Sequence, residues 1–471
     1  MDKKHISLTT TLPYVNSAPH VGFALEIVQA DVIARSKKLL GYDVFFNFGT
    51  DEHGLKIYRK AQEQNKDPQD YVDEYAKKFD RLKTALNLSY NNFIRTTDPH
   101  HIKAAQEFWK RCKTNGDIYK KIYKTKYCVG CELEKTDSEL ENGRCPLHPS
   151  NALEIIEEEN YFFRFSKYQK SLLEFYENTP KFVIPEFRFN EIKTFVRGGL
   201  QDFSISRLKD KMPWGIDVPD DPKQVISVWF DALVNYISAM GWPDDLVKFE
   251  SWWPVTQFAG KDNLRQQTAI WQAMLMSSGL PNSKQVFIHG FITSGGQKMS
   301  KSLNNIIDPF EYVEKYGTDA LRYYLLAKIS PTEDSDFTRE KFEEAYNADL
   351  ANGLGNLISR VAKLCENSGF EFKLSSPTFY PEVENFINEF RFDYALKFIW
   401  EKITSIDQEI NKVEPWKLKG DNLKEYLEKC LFAIRNIALN IRPFLPTTSE
   451  KILANLGSNK PISEILFPRL K

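Results

Sequence analysis

Four residues with metal-binding side chains form two close pairs in the first third of the sequence. Cys128 and Cys131 are separated by two residues, thirteen residues follow, and Cys145 and His148 are again separated by two. Two such pairs brought together supply three sulfur atoms and one nitrogen, a tetrahedral ligand set suited to a structural zinc ion. The pattern predicts one structural Zn²⁺, although two unrelated turns with buried thiols would give the same spacing of residues.

A second group of residues suited to chemistry is the run KMSKS at 298–302, which follows a pair of glycines. The cations Lys298 and Lys301 and the hydroxyl group of Ser300 stand together in this run. That composition suits a triphosphate whose negative charge must be neutralised as it reacts. Solvated surface loops share this composition, so the interpretation needs support from the rest of the chain.

A third group is Pro19-His20-Val21-Gly22-Phe23, at the predicted turn between a strand and a helix. Backbone N–H groups at the start of a helix attract anions. His20 can donate a hydrogen bond to a phosphate oxygen, and Gly22 allows close approach by a nucleotide. Alone the motif is weak, because a histidine and a glycine at such a turn more often serve capping and packing.

The elements that must position these residues follow from the apolar pattern. Residues 6–15 (ISLTTTLPYV) predict a buried strand that enters a turn, residues 24–33 carry apolar side chains at helical spacing, and residues 43–48 (DVFFNF) predict a second strand. Strand, helix and strand in close succession form a βαβ unit and therefore a parallel sheet. The strand pattern returns at 225–237 (VISVWFDALVNYI), 256–262 and 286–292.

The change of pattern along the chain predicts an α/β protein in four parts. A Rossmann-like parallel sheet is expected in two halves, 1–117 and 225–346. Residues 118–224, which hold the cysteine cluster and an acidic run, indicate an inserted zinc-binding domain. From 347 to 471 helical periodicity predominates, which predicts an α-helical bundle.

The composition argues against some classes of protein. Hydrophobic residues make up 42% and charged residues 27%, an ordinary balance for a globular protein. No apolar run approaches the roughly 20 residues that span a bilayer, and no signal peptide is apparent, so a cytoplasmic protein without membrane partners is expected. A net charge of −1 argues against a polybasic nucleic-acid binder but allows an enzyme that holds RNA at local patches.

Taken together, the motifs resemble a known family. The run at 298–302 reproduces KMSKS, a signature of class I aminoacyl-tRNA synthetases, and residues 20–23 stand where those enzymes carry a HIGH-like element. Further segments, in order along essentially the whole chain, resemble the methionyl-tRNA synthetase family. They are Leu12-Pro13-Tyr14, Gly49-Thr50-Asp51-Glu52-His53-Gly54, Val228-Trp229-Phe230-Asp231-Ala232-Leu233 with Tyr236, and Gly260-Lys261-Asp262-Asn263.

The resemblance implies a ligase that activates L-methionine with ATP and transfers it to the 3′-terminal ribose of tRNA(Met), with Mg²⁺ accompanying ATP. Asp51 would accept the ammonium group of the amino acid. The thioether site would be lined by Leu12, Tyr14, Trp229, Ala232, Tyr236 and Gln267. The ATP site would contain His20, Gly22, Phe23, Lys261, Asp262, Lys298, Ser300 and Lys301, with His20, Lys298 and Lys301 as the catalytic groups.

The helical part also carries residues that could read RNA. Asn356 and Arg360 are four residues apart, which places them on one face of a helix, and Trp416 follows later. Tryptophan and arginine stack on unpaired bases, although such residues are more often core aromatics and surface charges. By resemblance these three positions match anticodon-reading residues, which would make 347–471 an anticodon-binding domain.

Two departures from the family leave alternatives open. Phe23 stands where the family usually has histidine, and Gln266-Gln267 stands where it usually has Phe-His. The alternatives are a synthetase for another amino acid, a paralogue that activates an amino acid without tRNA, and a non-catalytic tRNA-binding protein. The family also commonly uses four zinc-binding cysteines, whereas the fourth predicted ligand here is His148. A monomer is expected.

Overall fold

The computed structural model describes residues 4–135, 137–299, 305–456 and 465–470. The chain divides into two compact units. The first comprises Met1–Ala18, Asp43–Arg81 and Tyr90–Ile288, and the second comprises Pro19–Tyr42, Leu82–Ser89 and His289–Lys471.

Both units are built from short strands and helices. The strands are β1 His5–Thr10, β2 Asp43–Thr50, β3 Asn92–Arg95, β4 Ile118–Cys128, β5 Leu133–Lys135, β6 Glu154–Phe163, β7 Val183–Ile184, β8 Phe203–Ser204, β9 Ser206–Leu208, β10 Asp217–Val218, β11 Asp221–Ile226, β12 Thr256–Gly260, β13 Gln285–His289, β14 Ile292–Ser294, β15 Gln297–Lys298 and β16 Ser335–Asp336. The α-helices are α1 Val21–Leu39, α2 Leu55–Glu63, α3 Pro68–Asp80, α4 Leu82–Ala85, α5 Pro99–Thr114, α6 Gln169–Asn178, α7 Glu186–Arg197, α8 Val228–Leu233, α9 Asn235–Ser238, α10 Leu246–Trp252, α11 Trp271–Ser278, α12 Pro309–Tyr316, α13 Thr318–Ala327, α14 Arg339–Ala345, α15 Asn356–Ser368, α16 Pro381–Asn388, α17 Phe392–Val413, α18 Gly420–Ile441 and α19 Pro446–Leu456.

A six-stranded sheet organises the first unit, in the order β3-β2-β1-β12-β13-β7. Strand β1 pairs in parallel with β2 on one side and with β12 on the other. The predicted parallel sheet, resumed after a long insertion, is therefore confirmed. The strand order reverses at β1, and in open α/β sheets ligands bind outside the carboxyl ends of the strands at such a point.

The insertion contains antiparallel sheets. Strands β4 and β6 form a long ribbon that pairs Ile118 with Phe163 at one end and Tyr127 with Glu154 at the other. Strand β5 returns along β4, so that Cys128 pairs with Leu133. The turn between these two strands holds Cys131, and the predicted metal ligands therefore start at the tip of the ribbon.

The prediction that residues 225–237 form a strand of the parallel sheet is wrong. The strand in this region is β11, which ends at Ile226 and pairs antiparallel with β9, and helices α8 and α9 follow it. An apolar run of this length does not by itself distinguish a strand from a buried helix. Here Val228, Ala232 and Tyr236 recur every four residues, and all three are buried. The first strand is also shorter than predicted, since it ends at Thr10.

The second unit is mainly helical, as predicted for the chain after residue 347, and it includes α1. Helix α1 packs against α13 and α16. The guanidinium group of Arg322 on α13 is completely buried and lies 2.8 Å from the Asp31 carboxylate on α1. It also donates to the carbonyl groups of Leu86, Pro443 and Phe444. Because a buried cation is costly unless its donors are satisfied, this set of bonds fixes α1 against the C-terminal helices. Among the described residues, no helix has both the length and the apolar character needed to cross a membrane.

Candidate functional site

Asp51 is a buried acidic residue at the carboxyl end of β2, beside the switch point of the sheet. It follows β2 directly, and its backbone forms a parallel bridge with Tyr14, which follows β1. Its Oδ1 atom is buried without a hydrogen-bond partner among the described residues. Burial, and then the charges of Asp231, Glu132 and Glu52, raise the pKa of Asp51 well above its usual range. A buried carboxyl with an unused oxygen is suited to receive a cationic group from a ligand.

The carboxylate of Asp231, by contrast, is fully satisfied. His53 Nδ1 lies 2.7 Å from one of its oxygens, and His101 Nε2 lies 2.8 Å from the other. Burial would raise the pKa of Asp231, but the two imidazoles outweigh it and hold the pKa below its usual value. Asp231 therefore stays ionised and acts on Asp51 as a fixed negative charge.

Tyr14 connects Asp51 to the inserted domain. Its hydroxyl group donates to Glu132 Oε1 over 3.0 Å, and the same oxygen accepts the Lys56 backbone N–H at 2.8 Å. Gly54 lies against this contact with a φ of 109°, and a Cβ at that position would lie 2.6 Å from the Tyr14 hydroxyl oxygen. Glycine is thus required there for two reasons, its backbone conformation and the approach of Tyr14.

The four predicted metal ligands lie together. The Sγ atoms of Cys131 and Cys145 are 3.5 Å apart, and His148 Nδ1 lies 3.2 Å from Cys131 Sγ and 3.8 Å from Cys128 Sγ. All four ligand atoms lie within 4.8 Å of one another. A tetrahedral zinc ion with S–Zn bonds of about 2.3 Å would separate its sulfur ligands by roughly 3.8 Å. The donor set and its spacing fit that ion, with histidine as the fourth ligand.

This cluster, which we call the metal knuckle (residues 128–148), contacts the residues predicted to bind the amino acid. The indole Nε1 of Trp229 donates to the Cys131 carbonyl oxygen over 3.2 Å. Glu132, the next residue, receives the hydroxyl groups of Tyr14 and Tyr127. Two predicted pocket residues are therefore held by backbone and side-chain atoms adjacent to a metal ligand. The sequence predicted the metal ligands but gave no sign of this connection.

Gln267 lies in a short π-helical segment, Gln266–Ile270. Its side-chain Nε2 donates to the Tyr236 hydroxyl oxygen over 2.7 Å, and its Oε1 accepts from Gln257 Nε2 at 3.1 Å. The predicted pair Tyr236 and Gln267 is thus in direct contact. Leu12 and Trp229 are partly buried against the same apolar core, and Ala232 is buried on α8.

In the second unit, His20 caps the N-terminus of α1. Its Nδ1 accepts the Gly22 backbone N–H over 3.1 Å. The proton of the neutral ring is therefore on Nε2, where it can be donated to an anion. Burial lowers the pKa of His20 to about 4, so that the ring is neutral at physiological pH. A Cβ at Gly22 would lie 2.8 Å from the His20 ring, and the Phe23 ring packs on that ring with centroids 4.4 Å apart.

Of the other residues predicted to bind ATP, the structure describes only some. Lys261 and Asp262 lie in a single 3₁₀ turn that follows the carboxyl end of β12. Lys298 is described by its backbone alone, as the last residue of β15. Ser300 and Lys301 lie outside the described residues.

The predicted RNA-reading residues lie in the helical unit. Asn356 is the exposed first residue of α15, directly after a π-helical segment, Tyr346–Gly355. The Arg360 guanidinium lies 5.5 Å from the centre of the Trp416 ring and 3.0 Å from Asp407. The Trp416 side chain is 54% exposed, which is unusual for tryptophan and leaves the ring open to stacking.

Several residues of the site carried little or no signal in the sequence. Glu132 follows a metal-ligand cysteine but belongs to no motif. It contacts the Tyr14 hydroxyl group from a left-handed backbone conformation, with a φ of 52°. Gln257 could have been noticed as a polar residue inside an apolar strand. His101 lies in a helix far from the other motifs, and only the fold brings it to Asp231.

Comparison with known proteins supports one family. Residues 6–153 and 134–362 match the family of class I tRNA synthetases denoted (M). The methionine–tRNA ligase of Thermotoga maritima is 43% identical over 98% of this chain and 76% of its own length. That of Synechocystis is 42% identical over 96% of this chain and 89% of its own length.

Solved structures lead to the same family. The Mycobacterium tuberculosis methionyl-tRNA synthetase in complex with methionyl-adenylate is 34% identical to this chain, with a TM-score of 0.91 and 99% of each chain covered. Its ligand-free form gives a TM-score of 0.84 at 31% identity, over 100% of this chain and 99% of that chain.

Proposed function

This chain belongs to the class I tRNA synthetases, in the family of the methionine–tRNA ligases, and from that premise we propose how its own residues carry out the reaction. The activity is the ATP-dependent joining of methionine to tRNA(Met). The observation that carries the proposal is the buried Asp51 carboxyl, whose Oδ1 has no hydrogen-bond partner among the described residues. The α-ammonium group of an amino acid supplies the missing charge and donors.

The reaction has two steps. In the first, a carboxylate oxygen of methionine attacks the α-phosphorus of ATP, the bond to the β-phosphate breaks, and pyrophosphate leaves. In the second, the terminal ribose hydroxyl of the tRNA attacks the acyl carbon of methionyl-adenylate, loses its proton and displaces AMP. Positioning and the neutralisation of developing charge are sufficient catalytic devices for both steps.

We assign the amino-acid site to the first unit. Asp51 holds the ammonium group, and Leu12, Tyr14, Trp229, Ala232, Tyr236 and Gln267 enclose the side chain. A thioether offers almost no hydrogen bonding, so it is recognised by shape and by contact with aromatic rings. The bonds from Trp229 and Tyr14 to the metal knuckle hold these two aromatic side chains in place.

We assign the ATP phosphates to the start of α1 and to the KMSKS run. His20, neutral and protonated on Nε2, donates to a phosphate oxygen at the helix N-terminus, where anions are favoured. Gly22 and Phe23 fix the His20 ring, and Lys261 and Asp262 lie beside the nucleotide. Lys298, Ser300 and Lys301 neutralise the triphosphate, and Mg²⁺ enters as the partner of ATP.

We further propose that the metal knuckle binds one structural Zn²⁺ through Cys128, Cys131, Cys145 and His148. All four positions are taken by protein ligands, so the ion has no open position for substrate. When bound, it fixes the conformation of the Cys131 carbonyl group and of Glu132.

Residues 347–471 are proposed to bind the anticodon. Trp416 stacks on an unpaired base, while Arg360 and Asn356 contact base edges. Asp407 keeps the Arg360 guanidinium in place by a 3.0 Å ion pair.

The four-part division predicted from the sequence is retained as a functional proposal, with 1–117 and 225–346 catalytic and 118–224 inserted. We also propose that the protein is cytoplasmic and monomeric. Light scattering of the purified chain would test the monomer through its molar mass.

The proposed activity predicts that ATP–pyrophosphate exchange by the purified chain depends on methionine alone among the twenty amino acids. Asp51→Asn should lower kcat/KM for methionine by about 10- to 100-fold, because a charged hydrogen bond is lost. Asp43→Asn, at the other end of β2, is the matched control and should exchange normally. Exchange driven by another amino acid, or an unaffected Asp51→Asn variant, would contradict the assignment.

The zinc proposal predicts one zinc ion per chain by metal analysis of the purified protein. Cys145→Ser should lose the ion and raise the KM for methionine, since Trp229 and Tyr14 lose their support. Cys365→Ser, a buried cysteine outside the cluster, should keep both the zinc and the wild-type KM. A metal-free chain after purification in the presence of zinc would reject the site.

The anticodon proposal predicts that the two steps respond differently to changes in the helical unit. Trp416→Leu and Arg360→Met should slow tRNA charging by roughly tenfold or more, the effect of losing one stacked base. Methionine-dependent exchange without tRNA should be unchanged. Arg339→Met removes an exposed arginine of the same unit as a control. Equal loss of exchange and charging in the Trp416 variant would count against RNA contact at this position.

A further inference from the structure

A completely buried carboxylate joins three separate elements of the first unit. Asp231 on α8 has one oxygen 2.7 Å from His53 Nδ1, in the loop after β2. Its other oxygen lies 2.8 Å from His101 Nε2, on α5. These contacts join residues that are 178 and 130 positions apart in the sequence. Because β2 and α5 precede the insertion and α8 follows it, Asp231 fastens the chain before the insertion to the chain after it.

The His101 ring makes a second contact with the same stretch of chain. Its Nδ1 lies 2.9 Å from the Ser238 hydroxyl oxygen on α9. A serine hydroxyl can either donate to Nδ1 or accept from it, so both contacts of the ring hold for neutral and for protonated imidazole. His101 is completely buried and thus uses each of its nitrogens to hold one end of residues 231–238. We call His53, His101, Asp231 and Ser238 the buried clamp.

The stretch of chain held by the buried clamp carries residues to which the amino-acid site is assigned. Ala232 and Tyr236 lie between the two points of contact with the imidazole, and Trp229 lies on the same helix as the clamped carboxylate. At the opposite end of the clamp, His53 comes two residues after Asp51 in the sequence. The clamp therefore connects the residues assigned to the side chain of the amino acid with the residue assigned to its ammonium group.

Stability alone does not account for such an arrangement. Taking a carboxylate out of water is costly, and replacing a buried ion pair by apolar side chains of similar volume is often neutral or stabilising. Hydrogen bonds differ from apolar contacts in fixing both the distance and the direction between two groups. The buried clamp is thus better suited to holding two segments in one relative position than to holding them together.

We propose that His101 is a positioning residue for the amino-acid substrate, which acts through Asp231 and Ser238 to hold the wall of the side-chain pocket at a fixed distance from Asp51. The inference rests on the proposed methionine site. If the wall moves relative to Asp51, methionine can no longer place its ammonium group and its side chain correctly at the same time, and its binding weakens. The ATP phosphates are assigned to other residues, so the loss falls on methionine alone.

The test combines ATP–pyrophosphate exchange by the full-length chain with calorimetric titration of methionine in the absence of ATP. Ser238→Ala removes one contact of His101 and should raise both the KM and the Kd for methionine by about three- to tenfold, the effect of one lost hydrogen bond. The kcat and the KM for ATP should stay at their wild-type values. His101→Phe removes both contacts and should raise the KM for methionine by about tenfold or more. Ser238→Ala decides the question if His101→Phe fails to fold.

Ser277→Ala is the matched control, because Ser277 is a buried serine of the same unit whose hydroxyl group donates to Asp117 over 2.8 Å. It should lower the midpoint of thermal unfolding about as much as Ser238→Ala does, but leave the KM for methionine unchanged. An unchanged KM for methionine in Ser238→Ala would overturn the proposal. So would an equal rise in Ser277→Ala, or a parallel change in kcat and in the KM for ATP, since those are the effects of a merely structural residue. Absence of methionine-dependent exchange in the wild-type chain would instead overturn the proposed function, and this inference with it.

Discussion

The burial of several acidic side chains close to one another is the constraint on which the first unit depends. Glu52 is neutralised by a bidentate contact with Arg95, at 2.7 and 2.9 Å. Asp231 is held by two histidines, and Glu132 receives hydroxyl and backbone donors. Each of these groups is satisfied by the protein, whereas Asp51 retains a buried oxygen without a partner. The fold thus places several negative charges around one carboxyl group, and the proposed amino-acid site assigns its compensation to the ammonium group of the ligand.

The inserted domain contacts two of the residues to which the proposed amino-acid site is assigned. The metal knuckle provides Glu132 as the partner of Tyr14 and the Cys131 carbonyl group as the partner of Trp229. A zinc ion bound at the knuckle would make both contacts rigid, and rigid support of the residues that touch a ligand is what a preorganised site requires. Under the proposed assignments, a structural metal without an open coordination position would still influence amino-acid binding.

Local patterns were sufficient to predict the parallel sheet, the insertion and the helical C-terminal part. Strand β1 was expected from the run ISLTTTLPYV, which suits a buried strand that enters a turn, and the metal cluster followed from two short spacings. Residues 225–237 were misassigned because their apolar run suits either a strand or a buried helix. Glu132 and Gln257 could not be assigned, since their roles depend on contacts across sequence separations of 118 and 10 residues. The positions of Ser300 and Lys301 stay predictions, as does every functional role given to a single residue.

Calorimetric titration of the purified chain with methionine, in two buffers of different ionisation enthalpy, tests the role of Asp51 most directly. Burial and the neighbouring carboxylates raise the pKa of Asp51, and an ammonium group bound beside it would oppose that shift and lower the pKa again. Methionine binding should therefore release protons to the buffer, and affinity should fall as pH decreases through the raised pKa. The Asp51→Asn variant should bind weakly without this release. Methionine binding without proton release at every pH at which the chain stays folded, or equal release by the variant, would contradict the account.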